Sequence, residues 1–165
     1  MGANLNNVFF VGDIIKGEDK LTFQPAKHMD MLLSAIHKIG NVRLLIIDPI
    51  VSAVGGDDHK NNDVRRSLQP IIDTAAKSGM AVIGITHYRK GSQDNAAIER
   101  VMGSLAYTAS ARSVWCVGKQ ANKSGGTDNI LVRAKASYSK DGGGFKYSIE
   151  SKHLKKEDIY TTEIL

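Results

Sequence analysis

Hydrophobic positions recur along this chain with two different periods, and the switch between them lays out its elements. Asn7-Val8-Phe9-Phe10-Val11-Gly12 is a short apolar run that reads as a strand, and Gly17-Glu18-Asp19-Lys20 reads as a loop. From Pro25 the period lengthens. Met29, Leu32, Leu33 and Ile36 fall at i, i+3, i+4 and i+7, one face of a helix that Gly40-Asn41 stops. Leu44-Leu45-Ile46-Ile47 is then unbroken apolar sequence, followed at once by Asp48-Pro49. Such a run suits a strand buried on both faces of a parallel sheet, and the proline ends it. Gly55 to Asn62 is polar and turn-rich, a mobile loop above the strand end.

Asn62 or Asp63 can cap the next helix, whose buried stripe is Val64, Leu68, Ile71, Ile72 and Ala75. Pro70 inside that pattern implies a kink or a break, and Lys77-Ser78-Gly79 closes it. Ala81-Val82-Ile83-Gly84-Ile85-Thr86-His87 is a second buried strand ending in a polar pair, and Tyr88 to Asn95 is a polar loop. Ile98, Val101, Met102 and Leu105 form another helical stripe. Gly103 within it costs about 1 kcal/mol relative to alanine, so it marks a break or a close backbone approach. Val114 to Val117, Ile130 to Lys135 and Phe145 to Ile149 are the last strands, separated by a polar loop over Gln120–Asn129 and a turn over Lys140–Gly144. Residues 151–165 are a charged tail, either a short helix or frayed.

This order predicts an α/β fold: a mostly parallel sheet with flanking helices and an antiparallel C-terminal edge. A strand–helix–strand unit with a right-handed crossover puts both strand ends on one rim, so Asp48 and His87 face one ligand. With 165 residues, 42% of them hydrophobic, the chain is long enough for one domain with a core. No apolar run approaches the length of a membrane span, and the first residues lack the pattern of a signal peptide. Cys116 is alone, which excludes a disulfide framework and points to a reducing, cytoplasmic setting.

The net charge of +5 is uneven. Residues 112–156 hold ten Lys or Arg against three acids, a signature either of a polyanion nearby or of a solvated lysine-rich surface. Asp48 is either a carboxylate that holds magnesium beside a nucleotide or part of an ordinary Asp-Pro turn. His87 either hydrogen-bonds a terminal phosphate, or orients a water aimed at it, or merely caps a strand. Asp57, Asp58 and His59 could be read as a metal cluster, but neighbours in a mobile loop rarely converge on one ion. His28 and His37 read as surface histidines, having no matching Cys or acid cluster.

Four segments resemble the RecA-like P-loop ATPase core of the RepA-type replicative helicases. Leu44 to Pro49 looks like Walker B. Ile85-Thr86-His87-Tyr88-Arg89-Lys90 looks like the strand-end histidine motif. Arg100 to Arg112 looks like the Arg-Gly-Ser helix ending in an arginine, and Val132 to Lys140 looks like the late strand with its lysine step. The resemblance covers residues of about 5 to 150, which leaves 1–150 as a partial RecA-like ATPase domain and 151–165 as the tail. It implies a three-layer core, a hexameric DNA-translocating NTPase, and Mg2+ and ATP as cofactors. By the same resemblance Asp48 holds the metal, His87 senses the terminal phosphate, Ser104 and Lys135 contact the nucleotide, and Arg112 is an arginine finger reaching a neighbouring subunit.

The sequence departs from that family in one respect. No Gly-x-x-x-x-Gly-Lys-Ser/Thr occurs in it, so the phosphate-cradling loop has no counterpart, and Glu18 lies in a loop and not at the strand end where the resemblance would place the catalytic glutamate. The expectation is a domain truncated at its N-terminus, without ATP hydrolysis of its own and binding no nucleotide alone. Strands left unpaired by such a truncation must be covered. Self-association as a dimer or larger, a full-length helicase subunit, or single-stranded DNA are the expected partners, with no membrane.

Overall fold

The computed structural model describes residues 4–16, 18–21, 23–57, 59–88, 105–140 and 142–148. The first described element is a 3-10 turn at Leu5–Asn7, capped by the Asn4 side chain on the Asn6 amide. The strand expected over residues 7–12 does not form. Only Phe10 makes an isolated bridge, and Val8, Phe9, Phe10 and Val11 are all exposed. An apolar run becomes a strand only where a neighbouring ladder takes its amides and carbonyls. Of the loop expected at 17–20, Asp19 and Lys20 are strand instead. Strand β1, Ile14–Lys16, pairs antiparallel with β2, Asp19–Leu21.

Helix α1 spans Met29–Ile39. His28 stands at its N-cap, where Nδ1 accepts the Gln24 amide at 3.0 Å, a local structural task. Gly40 and Asn41, with φ of 66° and 48°, end the helix as the sequence implied. Strand β3, Leu44–Ile47, leads to Asp48 and the cis Asp48–Pro49 peptide bond, then a 3-10 turn over Ile50–Ala53. Helix α2, Asn61–Ser78, runs without a break through Pro70. The proline deprives the Arg66 carbonyl of its partner, but both residues are exposed, where water can take the carbonyl. Gly79 closes α2 in the left-handed conformation. Strand β4, Ala81–Gly84, then pairs parallel with β3, Leu44 opposite Ala81 through Ile47 opposite Gly84.

Both helices cover the same face of the β3–β4 pair. Ile47, Ala53, Val64, Leu68 and Ile71 form one buried cluster. Leu32, Ile36 and Met80 form a second, and Leu45 packs against both. Ile72, expected in the α2 stripe, lies off the 64–68–71–75 line and is exposed. The opposite sheet face is open: Leu44 and Ile46 are 48% and 55% exposed, and Ile83 and Ile85 are exposed beside them. The expectation of a strand buried on both faces therefore fails on one side. Among the described residues, no second helical layer covers that face.

Helix α3, Leu105–Ser110, packs on α2 through Ala106 and Tyr107. Strands β5, Ser113–Ala121, β6, Thr127–Ala136, and β7, Gly144–Tyr147, form an antiparallel meander. The expected loop at 120–129 shrinks to a turn, because Asn122 organises it. Its Oδ1 accepts the Ser124 and Gly126 amides, and its Nδ2 donates to Asp128 at 3.2 Å. The fold class is thus as expected, α/β with a parallel pair and antiparallel C-terminal strands.

Candidate functional site

The carboxyl rim of β3 and β4 is fixed by one interruption in the ladder. Ile85 donates its amide to the Ile47 carbonyl at 2.9 Å, one rung past the formal strands. A continuing parallel ladder would next send the amide of residue 49 to the Ile85 carbonyl, but proline has none. The amide of Ile50 takes that carbonyl instead, at 2.8 Å. The chain therefore turns over the end of β4 immediately after Asp48. Gly84 makes room for the turn: a Cβ there would lie 3.0 Å from Ile50 Cγ1. Sequence reading missed this role, although an isolated glycine inside a strand is the signal for a close approach. Ser52 secures the turn, its Oγ donating to the Pro49 carbonyl at 2.8 Å.

Asp48 thus lies at the end of β3, and His87 two residues beyond the last rung of β4, on the same rim. Both are exposed, and among the described residues neither has a hydrogen bond or ion pair. Thr86 Oγ1, next to His87, is shielded from solvent with no partner among the described residues.

The loop above this rim is anchored rather than mobile over much of its length. The Gly55 amide donates to Ser67 Oγ at 3.1 Å. The Asp57 amide reaches Asp63 Oδ2 at 3.4 Å, and Asp57 accepts the amide of His59 on its side chain and that of Lys60 on its carbonyl. Asp63, in the first turn of α2, joins the loop to the positive end of the helix. Among the described residues no group of three or more His, Cys, Asp or Glu is placed to hold a metal ion, and Asp58 lies outside them.

Two other sequence candidates, Arg112 and Lys135, are carried by other parts of the chain. Arg112 is exposed in the link between α3 and β5, where its carbonyl accepts the Ser137 amide. Lys135 projects from β6 to the C-terminal end of α3. Its ammonium donates to the carbonyls of Thr108, Ala109 and Ala111 at 2.8, 3.1 and 2.9 Å. All three donors are thereby used at a helix end that favours a cation. Ser104 lies outside the described residues.

A family model described as an AAA domain matches residues 9–93, more than half of the chain. The chain belongs to the AAA domain family. The match supports kinship with P-loop AAA-type ATPases. It takes in β3, Asp48, α2, β4 and His87, and stops before α3 and the meander. No curated protein and no solved structure matches this chain.

In this AAA domain the rim suits one part of a nucleotide site. Magnesium is commonly held by one or two carboxylates, with phosphate oxygens and water completing its shell. A single exposed carboxylate such as Asp48 fits the protein's share of that arrangement. The phosphates themselves need a row of backbone amides and a lysine, and the motif that supplies them does not occur in these 165 residues.

Proposed function

We propose that this chain is the metal- and phosphate-sensing part of a RecA/RepA-like nucleotide site, derived from a plasmid- or phage-type replication helicase. In this reading Asp48 takes the magnesium of a bound nucleotide and His87 faces its terminal phosphate. Arg112 acts on a site in another subunit. The observation that carries the reading is the parallel pairing of β3 with β4, which brings the Asp48 and His87 segments to one rim. Lys135 is not needed for it, since its donors serve α3.

Because these residues contain no phosphate cradle, the chain alone turns over no ATP. The open apolar face of β3 and β4 favours a second, compatible role, pairing with a full-length subunit that completes the site. A magnesium-dependent ATP hydrolysis assay on the purified chain tests this. Release of phosphate at the buffer rate is expected. Turnover abolished by Asp48→Asn would mean that the site is complete and the reading wrong.

A further inference from the structure

The open face of the meander and the chain's own tail are matched in chemistry. Opposed residues on neighbouring strands point to one side of a sheet, and residues along each strand alternate. One side of β5–β7 therefore carries Trp115, Lys119, Arg133, Phe145 and Tyr147. The Trp115 and Phe145 rings agree with this, lying 5.9 Å apart and stacked at 17°. Phe145 is 64% exposed and Trp115 42%. No carboxylate shares that side among the described residues. Arg133 uses two of its five N–H donors on backbone, Nε on the Gly142 carbonyl at 3.1 Å and Nη2 on the Lys140 carbonyl at 2.8 Å. Those bonds fix the guanidinium and leave its other donors for an anion.

The sequence beyond β7 changes sign partway. Residues 149–156 hold three lysines and a histidine against one glutamate, whereas 157–165 hold Glu157, Asp158 and Glu163 with no Lys, Arg or His. Ile159, Tyr160, Ile164 and Leu165 lie among those acids. The basic stretch is repelled by the cationic face, and the acidic, apolar stretch complements it. The segment also reaches. From Trp115 to Lys119 the face runs about 13 Å, at about 3.3 Å per residue. The eight residues 149–156 can span up to about 26 Å when extended. The aliphatic face of β3–β4 is the poorer fit. Leu44, Ile46 and Ile83 offer no cation, so carboxylates laid there would lose water without gaining a partner.

We propose that residues 157–165 dock on this face of β5–β7, their apolar side chains against Trp115, Phe145 and Tyr147 and their carboxylates toward Lys119 and Arg133. Covering the rings supplies the affinity, and the charges select which stretch of the tail docks. Tethering through 149–156 gives the segment an effective concentration on the order of millimolar, so weak contacts suffice. The same segment of a second chain, at micromolar concentration, competes poorly. Any partner of this face must first displace the segment, which makes the tail a built-in competitor. The surface lies outside residues 9–93 and stands whether or not Asp48 and His87 meet a nucleotide.

Ring currents make the contact measurable, because methyl groups lying over an aromatic ring resonate away from their positions in a free peptide. The test records methyl spectra of the full chain at low salt against a synthetic peptide of residues 149–165. The Ile159, Ile164 and Leu165 methyls are expected upfield of their peptide positions, with nuclear Overhauser contacts to the Trp115 indole. Trp115 is the only tryptophan, so its indole signals are unambiguous. Glu157→Gln, Asp158→Asn and Glu163→Gln together should lower the docking constant about 3- to 100-fold, at the strength of surface ion pairs, and move the methyls toward the peptide positions. Phe145→Ala should act in the same direction while the amide signals of β3 and β4 stay in place. Methyls at their peptide positions in the full chain would overturn the proposal, as would contacts to Leu44 or Ile83 in place of Trp115. So would an unchanged methyl spectrum in the charge variant. Contacts found only between labelled and unlabelled copies in a mixture would give the face to a second chain and overturn it too.

Discussion

The β3–β4 pair and the β5–β7 meander are both small sheets, but they are stabilised by different physics. The parallel pair rests on helices. Ile47, Val64, Leu68 and Ile71 exclude water between α2 and the sheet, and the rim residues sit on that packed layer. The meander has only Cys116 fully buried in its three strands. Its order comes from ladder hydrogen bonds, from the Asn122 turn and from the Lys135 ammonium on α3. A region held by burial can carry an exact rim with exposed polar groups. A region held by polar contacts can leave its aromatic side chains facing outward.

That contrast can be broken at each end. The largest effect is expected at Ile71, 2% exposed in the α2 cluster. Ile71→Ala should cost about 3 kcal/mol in urea unfolding, the usual range for emptying a packed aliphatic site. Loss of less than about 1 kcal/mol would mean that the cluster does not hold the pair.

Lys135→Met comes next. It strips three carbonyls at the end of α3 of a charged donor and should cost about 2 kcal/mol. Binding of Mg2+-nucleotide at the β3–β4 rim should be unchanged in this variant. A fall in nucleotide affinity without a fall in stability would return Lys135 to the nucleotide site.

The smallest effect is expected at Asp128. A hydrogen bond from Lys146, then one from Asn122, holds its carboxyl below the ordinary value of 3.8. A carboxylate with a depressed folded pKa stabilises the fold above its unfolded pKa and loses that contribution as pH falls through the folded value. The window therefore lies below 3.8, and it is shallow because the pair is exposed to solvent screening. Asp128→Asn should flatten the dependence of the urea midpoint on pH in that range and leave it unchanged near neutrality. An identical acid profile in the variant would remove Asp128 from the account.

Much of this was legible in the residues. The 3.6 period located α1 and most of α2, Gly40 and Gly79 stopped them, and the two apolar runs gave the parallel pair with its polar ends on one rim. What was not legible depends on partners distant in sequence. Val8 to Val11 has strand composition but no continuous ladder to join among the described residues, whereas Asp19 and Lys20, in the stretch that looks like a loop, pair with Lys16 and Ile15 in a hairpin. The apolar character of β3 announced two covered faces, but a run of apolar residues cannot say whether a second layer is present. Lys135 shows the same limit for chemistry. The resemblance suggested a nucleotide contact, and only the fold brings three carbonyls at the end of α3 within reach of its ammonium. Arg112 and Ser104 rested on resemblance alone; Arg112 lies exposed in the link between α3 and β5, and Ser104 falls outside the described residues.

The most direct test replaces Mg2+ with Mn2+ and follows backbone amide signals of the chain as Mn2+·ATP is added. The account predicts paramagnetic broadening centred on the segments of Asp48 and His87 together, at residues 47, 48 and 50 and at 85–88, and its loss in Asp48→Asn. Broadening confined to the Asp57–Asp63 loop or to Asp128, or broadening at the rim that survives Asp48→Asn, would contradict it.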